Sequence, residues 1–225
     1  MSRKREKQRQ NLRRVFRAEF LEAVFVAIIV ATILRVFFVG VYRIPSGSMA
    51  PTLLPGDFVV AWRASYGVRV PFTDFRIGAR VPGRGDVVIL RLPGEAGASG
   101  PLYAKRVVGL PGDRVAIHGG TLHVNDQEVP MPWDSTHGVI HDLEPVVVPP
   151  GRVFLLSDTM ENSSDSRQWG PIPPHLIAAR AAVVAMSLEI KESEAADAQS
   201  HAAPRETSAR PSSRFRSDRF FRVIR

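Results

Sequence analysis

Residues 20–42 form a near-continuous apolar run from Phe20 to Tyr42, interrupted by only two charges, Glu22 and Arg35. Beyond it the pattern changes to short β-branched and aromatic stretches bounded by turn residues. This predicts strands at Asp57–Trp62, Asp86–Arg91, Leu102–Val108, Asp113–His118, Thr121–Val124, Gln127–Val129, Pro145–Val148, Arg152–Ser157 and Ala181–Leu188. The breaks between them are Pro55-Gly56-Asp57, Pro82-Gly83-Arg84-Gly85-Asp86, Pro111-Gly112-Asp113, Asn125-Asp126 and Pro149-Pro150-Gly151. Eighteen prolines and 17 glycines in 225 residues exceed the usual share and do the punctuating. Pro173-Pro174-His175 is expected to open a single helical turn through Arg180. No long periodic helix follows residue 43, so residues 43–190 are predicted to be a mainly β domain.

The apolar run is long enough to matter in another way. Its 23 residues would reach roughly 34 Å as a helix, against a hydrocarbon core of about 30 Å. Glu22 sits at the entry and Arg35 near the exit, where a long side chain can snorkel outward. A cleaved signal segment would be shorter, so the run is expected to be a retained transmembrane helix. The basic segment 1–19 should then stay in the cytoplasm, leaving everything after about residue 43 outside it. The segment Val68–Arg80, with Val70, Pro71, Phe72 and Phe75, is an apolar loop that either dips toward the bilayer or packs in the core.

Composition excludes several classes. The net charge is +8, yet residues 1–19 carry +6 and residues 200–225 carry +5, which leaves the middle of the chain mildly acidic. A nucleic-acid footprint on the folded part is therefore not expected. The chain has no cysteine, and so no disulfide, thiolate nucleophile or cysteine-bound metal. Residues 191–211 lack apolar periodicity and read as a disordered linker. Residues 212–225 interleave Phe215, Phe220, Phe221, Val223 and Ile224 with arginines. That pattern leaves three readings open: contact with anionic lipid, packing back on the domain, or a solvated tail.

The candidate chemistry begins where the apolar run ends. Ser46-Gly47-Ser48 is a small-residue turn with two hydroxyls, suited to projecting a nucleophilic Oγ while freeing an N–H for an oxyanion. A serine needs a base. None of the six histidines, His118, His123, His137, His141, His175 and His201, stands in a triad or HExxH pattern, and all are assigned to structure or surface. After the apolar run only Lys105 and Lys191 are lysines, against thirteen arginines over residues 20–199. Strand alternation would put Lys105 on one face with Tyr103 and Val107, with Ala104 and Arg106 opposite. Two outcomes stay open: a snorkelling surface lysine, or an amine desolvated toward its neutral, basic form. Residues 157–170 form a polar, turn-rich run in which Asp165 and Arg167 are spaced to pair.

Taken together, these blocks resemble the bacterial type I signal peptidases, membrane-bound Ser/Lys proteases that trim secretory preproteins. Pro45-Ser46-Gly47-Ser48-Met49 with Pro51-Thr52-Leu53 resembles the nucleophile box. Arg84-Gly85-Asp86-Val87-Val88 is similar to the next, and Tyr103-Ala104-Lys105-Arg106-Val107-Val108-Gly109-Leu110-Pro111-Gly112-Asp113 to the lysine box. Asn162-Ser163-Ser164-Asp165-Ser166-Arg167 with Trp169-Gly170 resembles the last. The resemblance covers about residues 35–180, in order.

The resemblance implies an antiparallel β catalytic domain behind one N-terminal transmembrane helix in the cytoplasmic membrane. It implies Ser48 as nucleophile and Lys105 as general base, with Ser46 and the Ser48 N–H as oxyanion donors. Tyr103 and Ser163 would orient the lysine, and Asp165 with Arg167 would brace the site. Preproteins with small residues near the cut would bind as extended strands, with no metal or organic cofactor, on a monomeric, lipid-embedded enzyme. One departure stands out. The family's last box opens Gly-Asp-Asn-Arg-Asp-Asn-Ser, whereas here it reads Ser157-Asp158-Thr159-Met160-Glu161-Asn162-Ser163, which alters a charged cluster. Two rivals are carried: a catalytically silent homologue serving as a membrane binding module, and a Ser/Lys autoprotease of the SOS-repressor type. The latter would need a DNA-binding helix pair in place of residues 20–42.

Overall fold

The computed structural model describes residues 2–69, 73, 75–93, 99–132, 141–159, 163–189 and 214–224. The expected linker 191–211 and Met160, Glu161 and Asn162 lie outside the described residues, as do Val70, Pro71, Phe72, His137 and His201. The chain opens with helix α1 (Ser2–Phe37), whose side chains are described from Glu19. Strands β1 (Val39–Arg43) and β2 (Asp57–Trp62) follow, then a hairpin of β3 (Val68–Arg69) and β4 (Arg76–Ile77). The long strands β5 (Val87–Pro93) and β6 (Ser99–Gly109) lead into β7 (Arg114–His118), β8 (Thr121–Val124), β9 (Gln127–Glu128) and β10 (Leu143–Val147). Strand β11 (Phe154–Leu156), the short helix α2 (Ser166–Trp169), β12 (Ile177–Glu189), β13 (Arg214–Phe215) and β14 (Arg222–Val223) complete it.

Every described strand pairing is antiparallel. The main sheet runs β1-β2-β12-β5-β6-β11, with β13 and β14 added to β12. A second sheet, β10-β7-β8-β9, packs Val115, Ile117, Leu122 and Val124 against Val108, Phe154 and Leu156 at the end of β6 and β11. The other clusters gather Val59, Ile89 and Val184, and Val88, Val107, Leu155 and Ile177.

Two boundaries differ from the sequence reading. The apolar run does not stay helical to Tyr42: α1 stops at Phe37, and β1 pairs Val39 with Trp62 through to Arg43 with Phe58. The β-branched alternation Val39-Gly40-Val41 finds a partner strand and prefers it to further helix. Among the described residues no helix is long and apolar enough to cross a membrane. At the other end, the helical turn expected through Arg180 is only a 3-10 turn at Pro174–Leu176. From Ile177 the chain pairs with β5 at Leu90, so sheet hydrogen bonds replace helical ones. The tail packs back on β12, although Phe215, Phe220, Phe221 and Val223 remain more than half exposed.

One turn recurs at three junctions. In Leu54–Asp57, Gly83–Asp86 and Leu110–Asp113 the aspartate N–H bonds the carbonyl three residues back, and its carboxylate accepts that residue's N–H. The third residue is Gly56, Gly85 or Gly112, at φ 89°, 88° and 90°, a conformation that suits the third position of a type II turn and that only glycine adopts freely. Each aspartate also meets an arginine: Arg219, Arg180 and Arg84 respectively. These turns fix the entries of β2, β5 and β7, and the first sets the loop that carries the serines.

Candidate active site

Strand β1 delivers the chain to the Ser46-Gly47-Ser48 turn. Ile44 donates its N–H to the Asp57 carbonyl and accepts from Gly56, which closes residues 44–57 into a loop. Ile44, Met49 and Leu53, each at most 2% exposed, pin that loop to the core. Between these apolar pins the turn tightens through Ala50 N–H to Gly47 O and Leu53 N–H to Met49 O. Ser48 is left partly exposed at the surface, with its Oγ 3.3 Å from the Ser46 Oγ.

Strand β6 brings the lysine. The alternation is as the pattern predicts: Leu102 and Ala104 join one cluster, Tyr103 and Val107 another. Lys105 is 1% exposed, so of the two outcomes left open it takes the buried one. Its Nζ lies 3.1 Å from Ser48 Oγ and 2.6 Å from Ser157 Oγ, and 5.9 Å from the centre of the Tyr103 ring. Burial pushes the amine down from 10.5 to about 8; the Arg167 cation works in the same direction, and Asp165 and Asp158 oppose it. Tyr103 does not bond the amine; its ring packs beside it, held edge-on by Trp169 at 4.9 Å.

The third contributor is the chain leaving β11. The register pairs Leu155 with Val107 and Leu156 with Arg106, so the next residue, Ser157, comes opposite Lys105 and on its face. Asp158 turns to the other face and holds Arg106 bidentately, Nε and Nη2 each at 2.7 Å. Arg106 also reaches Thr52 Oγ1 and the Gly85 carbonyl, tying the serine loop to β5's entry turn. Thr159 bonds the Ser46-Gly47-Ser48 turn directly. Its N–H donates to Ser48 O, and its hydroxyl lies 3.2 Å from Gly47 O and 3.0 Å from Ala50 O.

Asp165 and Arg167 form the pair their spacing suggested, with two contacts of 2.9 Å. Asp165 caps α2 and accepts the Ser157 N–H at 3.1 Å, so the brace acts on Ser157's backbone. Ser163 is placed differently from the expectation drawn from resemblance: its hydroxyl donates to the Thr159 carbonyl at 2.5 Å. Sequence reasoning missed Ser157, Asp158 and Thr159 as contributors. The signal available was the departure itself, a hydroxyl at each end of a three-residue stretch on a strand leaving the core. Of the described histidines, His118 and His123 sit on the small sheet, 5.7 Å apart, and carry none of this geometry.

A serine hydroxyl against a buried amine of lowered basicity is an arrangement for proton removal and nucleophilic attack. Residues 17–186 match the family described as signal peptidase, peptidase S26. The chain belongs to that family. It is 33% identical to signal peptidase I of Pseudomonas aeruginosa over 75% of this chain and 72% of the relative. It is 34% identical to thylakoidal processing peptidase 1 of Arabidopsis thaliana over 72% of this chain and 46% of the relative. A crystal structure of a signal peptidase I from Enterococcus faecalis aligns with 45% of this chain and 97% of its own at 24% identity and a TM-score of 0.37. Membership in the S26 signal peptidases makes the protein a serine endopeptidase, and its substrates are preproteins bearing signal peptides.

Proposed function

We infer that peptide-bond cleavage runs through a Ser48/Lys105 dyad on the outer side of a membrane that α1 crosses. The observation that carries the reading is the 3.1 Å approach of a buried Lys105 amine to Ser48 Oγ. Neutral Lys105 takes the Ser48 proton as Oγ attacks the scissile carbonyl. The resulting ammonium returns that proton to the leaving amine, and a lysine-activated water then releases the acyl-enzyme. An unperturbed lysine would be neutral in only about one molecule in 2,500 at pH 7. With the amine lowered to about 8, the share becomes roughly one in ten. Ser46 and the Ser48 N–H act as oxyanion donors.

The sheet edges support binding of substrate as an extended strand. Strand β1 ends the sheet order, and β6 pairs with β11 only from Arg106 onward. Among the described residues, Ser99–Lys105 therefore has a strand on the β5 side alone, beside the serine loop. A signal-peptide segment can add its backbone to such an edge.

Exposed apolar side chains support the membrane reading. Phe20, Leu21, Phe25, Ile28 and Leu34 of α1 are all more than half exposed, on a helix whose only charges from residue 20 are Glu22 and Arg35. A helix apolar all round needs an apolar surround. Phe215, Phe220 and Phe221, set among Arg214 and Arg222, form a second surface suited to anionic lipid. Cleavage of a purified preprotein by the parent enzyme, Ser48→Ala and Lys105→Met tests the dyad. Both variants should fold and be inactive; normal turnover in either removes that residue from the mechanism. Lys105→Arg should also fail, because a guanidinium keeps its proton.

A further inference from the structure

We propose that Ser157, not Ser163, is the residue that positions the Lys105 amine against Ser48. The inference rests on the Ser48/Lys105 reading and names a part of that site which resemblance assigned elsewhere.

Three independent observations carry it. The first is distance. Of the two hydroxyls bonded to Nζ, Ser157 is the nearer, at 2.6 Å against 3.1 Å for Ser48. The second is register. Ser157 continues β11 opposite Lys105, so its Cβ and the lysine stem leave the sheet on the same face. Ser157 is the first residue past β11, so its position follows directly from the end of that strand pairing. The third is support. Ser157 is fully buried, its N–H is held by Asp165, and Asp165 is held bidentately by Arg167. The next residue, Asp158, is fixed by Arg106, the neighbour of Lys105 in β6. A dipeptide on one strand thus grips a dipeptide on the other, Ser157 to Lys105 and Asp158 to Arg106. Ser163 is engaged with the Thr159 carbonyl.

The chemistry requires such a partner. A neutral lysine amine has two N–H bonds and one lone pair, and it turns freely about Cε–Nζ. One N–H donated to Ser157 Oγ stops that rotation with the lone pair facing the Ser48 hydroxyl. When the Ser48 proton moves to Nζ, the ammonium keeps its bond to Ser157 and points the transferred proton at the leaving amine. Ser157 changes no bond of its own.

A hydroxyl that accepts from the amine also favours its protonated form, which gives the test a sign. The experiment measures kcat, KM and the pH dependence of kcat/KM on a purified preprotein for the full chain. It compares Ser157→Ala, Ser157→Thr and Ser163→Ala, with Ser48→Ala as the inactive reference and thermal unfolding as the check on folding. Ser157→Ala should lower kcat about 30-fold with KM within about twofold, and should move the rising limb of the profile to lower pH. Ser157→Thr, which restores the hydroxyl, should recover at least a third of the lost rate and return the limb. Ser163→Ala should leave the limb where it is. The inference is overturned if Ser157→Ala leaves kcat or the limb unmoved, if the limb moves to higher pH, or if Ser163→Ala moves it instead. A Ser48→Ala enzyme that still turns over would sink the dyad reading, a result distinct from any of these.

Discussion

The guanidinium of Arg219 lies 2.6 Å from the carboxylate of Asp57, 162 residues earlier in the chain, and both side chains are almost wholly buried. Asp57 closes the loop that carries Ser46 and Ser48, and Arg219 also donates to the Thr52 carbonyl within that loop. Removing one member of a buried pair strands the other charge, at a cost of about 3–5 kcal/mol. Arg219→Ala, or deletion of residues 214–225, should therefore lower the unfolding temperature markedly, as measured by calorimetry. An unchanged melting temperature would mean that the pair contributes nothing.

The rate should rise with pH. In the proposed mechanism Lys105 acts neutral, so kcat/KM is expected to climb tenfold per pH unit below about 8 and level off above it. A limb centred near 10 would show a solvated amine.

The same burial sets a stability slope. The folded lysine sits below its unfolded value of 10.5, at about 8. Between those values the unfolded chain holds a proton that the folded one lacks, so this group's contribution rises with pH there and is lost as pH falls through about 8. Lys105→Met removes the buried amine while keeping its bulk. Denaturant titrations should find this variant more stable than the parent at pH 7, and should find its stability less responsive to pH across that window.

Thr159→Val keeps the shape of the side chain but loses the hydroxyl bonded to Gly47 and Ala50. One hydroxyl proton is shared between two part-buried carbonyls, and Gly47 O keeps the Ala50 N–H, so the loss is about 1–3 kcal/mol for the one donor removed. Because those carbonyls flank Ser48, kcat should drop about tenfold while the fold survives, which steady-state kinetics and circular dichroism together would establish.

Replacing Phe220 and Phe221 with serine should lower cleavage in vesicles of anionic lipid while leaving the rate in detergent alone. Those rings are exposed, so an equal loss in both media would point instead to disturbance of the neighbouring Arg219–Asp57 contact.

Much of this was legible in the residues. The turn dipeptides placed the strands because a type II turn demands glycine at its third position, and Gly56, Gly85 and Gly112 announce it. Alternation around Lys105 placed the amine's face correctly because the strand period is fixed. What stayed hidden depends on contacts between distant segments. Arg219 looks like one more cation in a basic tail until Asp57 is beside it. Ser157 looks like a lost glycine until the register with β6 brings it to the lysine. Ser163 fits the familiar motif by spacing, but spacing does not say which hydroxyl reaches the amine across a strand pair. The end of α1 was misjudged for a related reason: Val39–Arg43 is apolar enough for helix and strand alike, and its pairing with β2 decides.

The return of the tail to β12 also orders events during synthesis. A ribosome working from the N terminus exposes the serine loop long before it makes residue 219. Until that arginine emerges, the Asp57 carboxylate lacks its buried cation and the serine loop lacks one of its tethers. The serine loop is therefore completed by a contact that waits on residue 219, well after the loop itself has been made.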